Sequence, residues 1–87
     1  MRDPLEIWLQ RLRDPDPAVR RQAIRQIELI GDTRALDPLA GLFALDPDLE
    51  IRKLAQSVGK AIYQAAERRR ANERLAAPPS DPRLKRS

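Results

Sequence analysis

The residues with the most chemistry to offer come in duplicate: DPDPAVR over 14–20 and DPDLEIR over 46–52, 32 residues apart. Each phrase supplies two carboxylates and a guanidinium: Asp14, Asp16 and Arg20 in the first, Asp46, Asp48 and Arg52 in the second. Such a set could hold an ion, or it could tie a turn together through charge-assisted hydrogen bonds. The spacing favours the turn. Asp16 stands before Pro17, and Asp48 holds the matching place, where a carboxylate satisfies the free N–H groups of a helix start and Pro fits the first helical position. The doubled phrase is read as structural punctuation.

Catalytic chemistry has little to work with. The sequence holds no Cys and no His, which removes thiol nucleophiles, thiolate and imidazole metal ligands and the commonest general base. Ser57 and Tyr63 have no neighbouring base of suitable pKa, and Lys60 alone on an exposed face is no Schiff-base site. No catalytic, cofactor-binding or metal-binding residue is expected, and no cofactor. The chemistry that remains is recognition by arginine, lysine and aromatic side chains.

The net charge of +4 raises nucleic acid as a partner, so its location matters. Residues 1–65 carry ten basic and ten acidic side chains, and residues 66–87 carry seven basic and three acidic ones. All of the excess lies at the C-terminal end, in Arg68, Arg69, Arg70 and Arg74 and then Arg83, Lys85 and Arg86. No apolar run approaches the ~20 residues of a membrane span, and MRDPLEIW lacks a secretory apolar segment. A cytoplasmic protein is expected, whose basic end could touch an anionic surface.

The elements that position these groups are helices throughout. Leu5, Trp8, Leu9 and Leu12 make an amphipathic stripe behind Asp3 and Pro4, predicting a helix over about 4–13. Asp16 and Pro17 open a second over 17–30, with Val19, Ala23, Ile27 and Ile30 on one face and Gly31 as its stop. Asp32 caps a third over 33–45, striped by Leu36, Leu39, Leu42 and Phe43, in which Pro38 bends the helix or delays its start. A fourth runs over 48–75, with Ile51, Ala55, Val58 and Ile62 buried and Gly59 marking a close helix contact. It has no stop signal near Ile62 and continues as a polar arm. The domain is thus expected over 1–75, followed by a flexible basic tail over 76–87.

Laid over each other, the units match Val19 with Ile51, Arg20 with Arg52, Ala23 with Ala55 and Ile30 with Ile62. With one residue of slippage, Trp8, Leu9 and Leu12 meet Leu39, Ala40 and Phe43. The stretch DPDPAVRRQAIRQIELIGDTRALDPL resembles HEAT repeats, in particular the short HEAT-like class associated with phycobilisome chromophore lyases. The resemblance covers about residues 4–65, and it departs where Gly59 fills a usually apolar slot and no Gly-Asp stop follows Ile62. It implies an all-α fold of two stacked antiparallel helical hairpins, an α-solenoid fragment with a long last helix that looks like a terminal cap, and, as is common in such repeats, pairing of Arg20 back to Asp14 or Asp16 and of Arg52 back to Asp46 or Asp48. An ordinary four-helix bundle is the alternative.

Stacked hairpins need neighbours to bury their apolar faces, and roughly three or more units are usual. Two units therefore imply self-association or docking on a larger partner, with Trp8 and Ile7 at one end and Tyr63 and Ile62 at the other. Second helices of HEAT-like hairpins line the concave face, which would display Arg21, Gln22, Arg25, Gln26 and Glu28 beside Lys53, Gln56, Lys60 and Gln64. The expected function is a non-enzymatic protein–protein interaction module, an adaptor or accessory subunit, with Trp8, Arg21, Arg25, Lys53, Lys60, Tyr63, Arg68, Arg69 and Arg70 as partner-binding candidates. Its alternative is nucleic-acid binding through the basic face and arm. A third reading, an accessory factor related to chromophore lyases, rests on fold analogy alone.

Overall fold

The computed structural model describes residues 3–76. Four α-helices follow in order: α1 (Pro4–Arg11), α2 (Pro17–Ile30), α3 (Leu36–Leu45), introduced by a 3-10 turn (Thr33–Ala35), and α4 (Leu49–Ala76). Among the described residues there is no strand.

Local chemistry sets most of the boundaries. Asp3 accepts from the Leu5 N–H at 3.0 Å and Asp16 from the Ala18 N–H at 2.9 Å, each followed by Pro at the first helical position. Helix α1 stops at Arg11, two residues before the expected end, because Arg13 and Asp14 donate to the carbonyls of Gln10 and Arg11 in a tightened final turn. Gly31 ends α2 with φ of 69°, the left-handed conformation that favours glycine. Asp32 caps the 3-10 turn, not a continuous helix from Thr33. Pro38 then occupies the third position of α3, where a missing N–H leaves no helical bond unmade. Its effect is to delay the helix.

The helices form two antiparallel hairpins, α1 with α2 and α3 with α4, joined chiefly by the packing of α2 on α4. Leu5, Leu12, Ala23, Ile24, Ile27, Ala35, Leu39, Ile51, Ala55, Val58 and Ile62 make one buried cluster, with Trp8, Leu9, Leu36, Leu42 and Leu54 against its edge. Ile24 belongs at its centre although the expected stripe omitted it. Two stripe members are exposed, Ile30 at 41% and Phe43 at 46%, and Val19 is half-buried outside the cluster, whereas the half-buried Trp8, Leu9, Leu36 and Leu42 pack against it. Their counterparts explain this. Ile51 and Ile62, on the face of unit two that meets unit one, are buried, as is Leu12, the counterpart of Phe43. Val19, Ile30 and Phe43 hold the same places on faces that have no neighbouring unit among the described residues.

Gly59 lies against α3, where an added Cβ would stand 3.8 Å from the Leu39 Cβ. That is ordinary van der Waals contact, so the packing does not demand glycine there. Beyond Ala66, the last buried side chain described on α4, Arg68, Arg69, Arg70 and Arg74 are all exposed. The expected tail over 76–87 lies, apart from Ala76, outside the described residues.

Candidate interaction surfaces

Both Asp-Pro turns are built by the same two-step relay. Asp14 Oδ1 accepts from the Asp16 N–H at 2.8 Å and Asp16 Oδ1 from the Ala18 N–H at 2.9 Å. In unit two, Asp46 Oδ1 accepts from the Asp48 N–H and Asp48 Oδ1 from the Glu50 N–H, both at 2.9 Å. The carboxylates are thereby committed to ordering helix starts.

The arginines do not reach back to the carboxylates of their own turns. Arg20 Nη1 donates to the carbonyl oxygens of Asp14 at 2.8 Å and Pro15 at 3.0 Å, while Nη2 donates to Asp46 Oδ1 at 3.0 Å and Nε lies 2.8 Å from Asp46 Oδ2. The ion pair runs from unit one to the turn of unit two, and both side chains are nearly sealed from solvent, at 9% and 2% exposure. Nη2 alone meets hydrogen-bond geometry while Nε is close but misaligned, so the pair is one charge-assisted hydrogen bond within an ionic contact, and removal of one partner leaves an uncompensated buried charge. Arg52 departs further from expectation. Asp46 is taken by Arg20 and Asp48 by its helix cap, and Arg52 Nε is buried with no hydrogen-bond partner among the described residues.

A second ionic contact pins α1 to the turn between the hairpins. Arg34 lies 2.7 Å from an oxygen of Asp3 and 2.8 Å from one of Asp32, bridging the caps of α1 and the 3-10 turn. Hydrogen bonds from Arg34 hold the carboxyls of both aspartates below the usual carboxylate range, and the two carboxylates raise the guanidinium in turn. Sequence reasoning passed over Arg34, although its i, i+2 spacing from the cap Asp32 was visible.

The remaining candidates are spread over several faces. Arg21, Arg25, Lys53 and Lys60 are exposed on α2 and α4, with Arg25 paired to Glu28 at 3.2 Å. Arg70 pairs with Glu67 at 3.1 Å, and Arg68 makes no ion pair among the described residues. Trp8 is half-buried against the core edge with Arg11 stacked 4.8 Å from its ring centroid, whereas Tyr63 is 56% exposed. Ile62, expected beside Tyr63 on an open end, is buried instead. None of them lines the groove between the first and third helices.

A groove that the sequence did not announce runs between α1 and α3. Leu9, Leu12, Pro38, Gly41, Leu42 and Leu45 give it an apolar lining, with Glu6, Gln10, Arg13 and Asp37 also at its edge. It exists because α2 and α4 pack closely while α1 and α3 stand apart, and because Gly41 has open space where a side chain would be. Leu45, at the end of α3, is 83% exposed.

Among the described residues, no group of three or more Asp or Glu side chains could hold a metal ion, and no helix is long and apolar enough to cross a membrane. The geometry offers surfaces and a ladder of charge. No curated protein and no solved structure gives a significant match to the chain. Comparison with known protein families matches residues 5–83 to HEAT repeats, without distinguishing a subclass. With paired hairpins, duplicated Asp-Pro turns and an arginine linking one unit to the next, the chain belongs to the HEAT-repeat family.

Proposed function

We propose that the chain works by binding another protein and not by catalysis, as a small adaptor or accessory subunit in the cytoplasm. HEAT repeats in general mediate protein–protein contacts, and this chain has the surface for it. The observation that carries the reading is the exposure of large apolar side chains at one open face and in the groove: Phe43 is 46% exposed and Leu45 83% exposed. Isolated exposed aliphatics are ordinary, but an apolar groove with an exposed leucine, and an aromatic on a face with no stacked neighbour among the described residues, support an interaction surface.

The test is affinity capture from the native cell with the 87-residue chain and two variants that leave the buried cluster intact, Leu45→Glu and Phe43→Ala with Tyr63→Ala. Identified proteins retained by the parent and lost from at least one variant, with circular dichroism unchanged, support the reading. Retention equal across all three contradicts it.

Nucleic-acid binding is the second reading, favoured by the exposed arginines of the α4 arm. Against it, Arg70 is already paired with Glu67, and residues 1–65 carry balanced charge. A salt titration of duplex and single-strand binding decides it. Affinity that falls steeply with salt and disappears in the Arg68→Ala, Arg69→Ala, Arg70→Ala variant would favour that reading.

A further inference from the structure

The internal joint of this stack has a donor side and an acceptor side, and each end of the chain shows one of them incomplete. Arg20 supplies the guanidinium and Asp46, 26 residues on, the carboxylate. One unit later, Arg52 holds the place of Arg20 with its Nε buried in the same way, but where Arg20 reaches Asp46, Arg52 makes no ion pair or side-chain hydrogen bond among the described residues. One unit earlier, Asp14 holds the place of Asp46 with the same bond to the i+2 N–H, and no cation lies within ion-pair distance of its carboxylate among the described residues. The chain therefore carries both halves of a second ladder rung, at opposite ends.

The side chains around these two groups match in the same register. At the internal joint, Ile24 on unit one and Val58 on unit two are buried in the shared core. The equivalent position to Ile24 in unit two is Gln56, exposed, and the equivalent position to Val58 in unit one is Gln26, half-buried. Both end faces thus exchange a branched aliphatic for an amide, and an amide facing an amide can satisfy its hydrogen bonds. Val19 and Ile30 on one end and Phe43 on the other supply the apolar part.

We propose that a second copy of this chain docks head to tail on the first, setting Arg52 of one copy against Asp14 of the next in the geometry of the Arg20–Asp46 pair. This rests on the protein-binding reading and names one partner for it. An acidic residue of the same chain does not serve. From Arg52 to the end of α4 at Ala76 is about 36 Å of helix, and Asp81, five residues further, spans at most about 18 Å of extended chain. The joint is heterologous, so the same face pair is left open at each end of a dimer and association proceeds with concentration instead of closing at two. Two glutamines in place of two aliphatics make it weaker than the internal joint, hence reversible.

Charge reversal tests it with the full chain. Sedimentation equilibrium over a range of concentrations should show the parent's average mass rising above the monomer. Asp14→Arg and Arg52→Asp should each weaken association tenfold or more, and the double variant should recover most of it. The chain's lack of Cys permits a second readout: a mixture of Asp14→Cys and Arg52→Cys chains treated with a short bis-maleimide, which supplies the reach of the lost guanidinium that a disulfide would not, should give a crosslinked pair in higher yield than either variant alone. A parent that stays monomeric throughout, or association that neither reversal alters, overturns the proposal. If in that case other proteins are still captured through Phe43, Tyr63 or Leu45, the binding reading stands and only the self-docking fails.

Discussion

Asp14 and Asp46 form a matched pair for testing the ladder, because they do the same local work and differ in one long-range contact. Each accepts a hydrogen bond from the N–H two residues on, at 2.8 and 2.9 Å respectively. Asp46 alone also holds the buried guanidinium of Arg20. Asp14→Ala removes the local bond, at a cost of about 1 kcal/mol. Asp46→Ala removes the same bond and leaves Arg20 buried without its counter-charge, at a cost of about 3–5 kcal/mol. The difference, about 2–4 kcal/mol, corresponds in a domain of this size to roughly 8–32 °C in Tm. Urea denaturation of both variants, at a concentration where the chain is monomeric so that no second copy contributes, measures it directly. In a cycle with Arg20→Met, the coupling between positions 20 and 46 should exceed about 1.5 kcal/mol. Equal destabilisation by Asp14→Ala and Asp46→Ala, within about 0.5 kcal/mol, would refute the argument that the inter-unit pair organises the stack.

Two of the three glycines should respond oppositely to alanine. Gly59→Ala has room beside Leu39 and gains helix propensity, so it should stabilise by about 0.5–1 kcal/mol, whereas Gly31→Ala meets a φ of 69° and should destabilise by about 1 kcal/mol; thermal melts that move the same way for both would contradict the packing described. Acid should weaken the Arg34 clamp: the carboxyls of Asp3 and Asp32 sit below their usual 3.8 in the folded chain, so the unfolded chain binds more protons and the clamp's contribution, complete above that value, fades as pH falls through the lowered ones. Arg34→Gln should therefore flatten the loss of stability below about pH 4, most visibly at low salt because the groups are exposed, and a slope unchanged from the parent would remove the clamp from the account.

How far the sequence could be read depended on the reach of each interaction. Asp3, Asp16, Asp48 and Gly31 act on N–H and C=O groups within four residues, so the helix starts and the first stop followed from spacing. The partner of Arg20 did not. Asp14 and Asp16 were closer in sequence, and only the stacking of one hairpin on the other brings Asp46 within 3.0 Å. An amphipathic stripe also says which face of a helix is apolar without saying how many neighbours cover it, which is why Val19, Ile30 and Phe43 were expected in the core. The groove between α1 and α3 depends on the splay of two helices distant in sequence, and only Gly41 hinted at unfilled space. Trp8, Arg21, Arg25, Lys53, Lys60, Tyr63 and the arm arginines were chosen as partner contacts by residue type. The structure distributes them over several faces, so which of them touch a partner remains a proposal.

The central claim is that the open faces of a two-hairpin HEAT stack bind protein. Photo-crosslinking in the native cell tests it most directly, with the reactive residue placed in turn at Phe43 on an open face, at Leu45 in the groove, and at Glu50 on an exposed helix turn as the control. The account predicts that identified proteins, a second copy of this chain among them, are captured from positions 43 and 45 and not from position 50. Equal capture from all three, or capture of nucleic acid in place of protein, would contradict it.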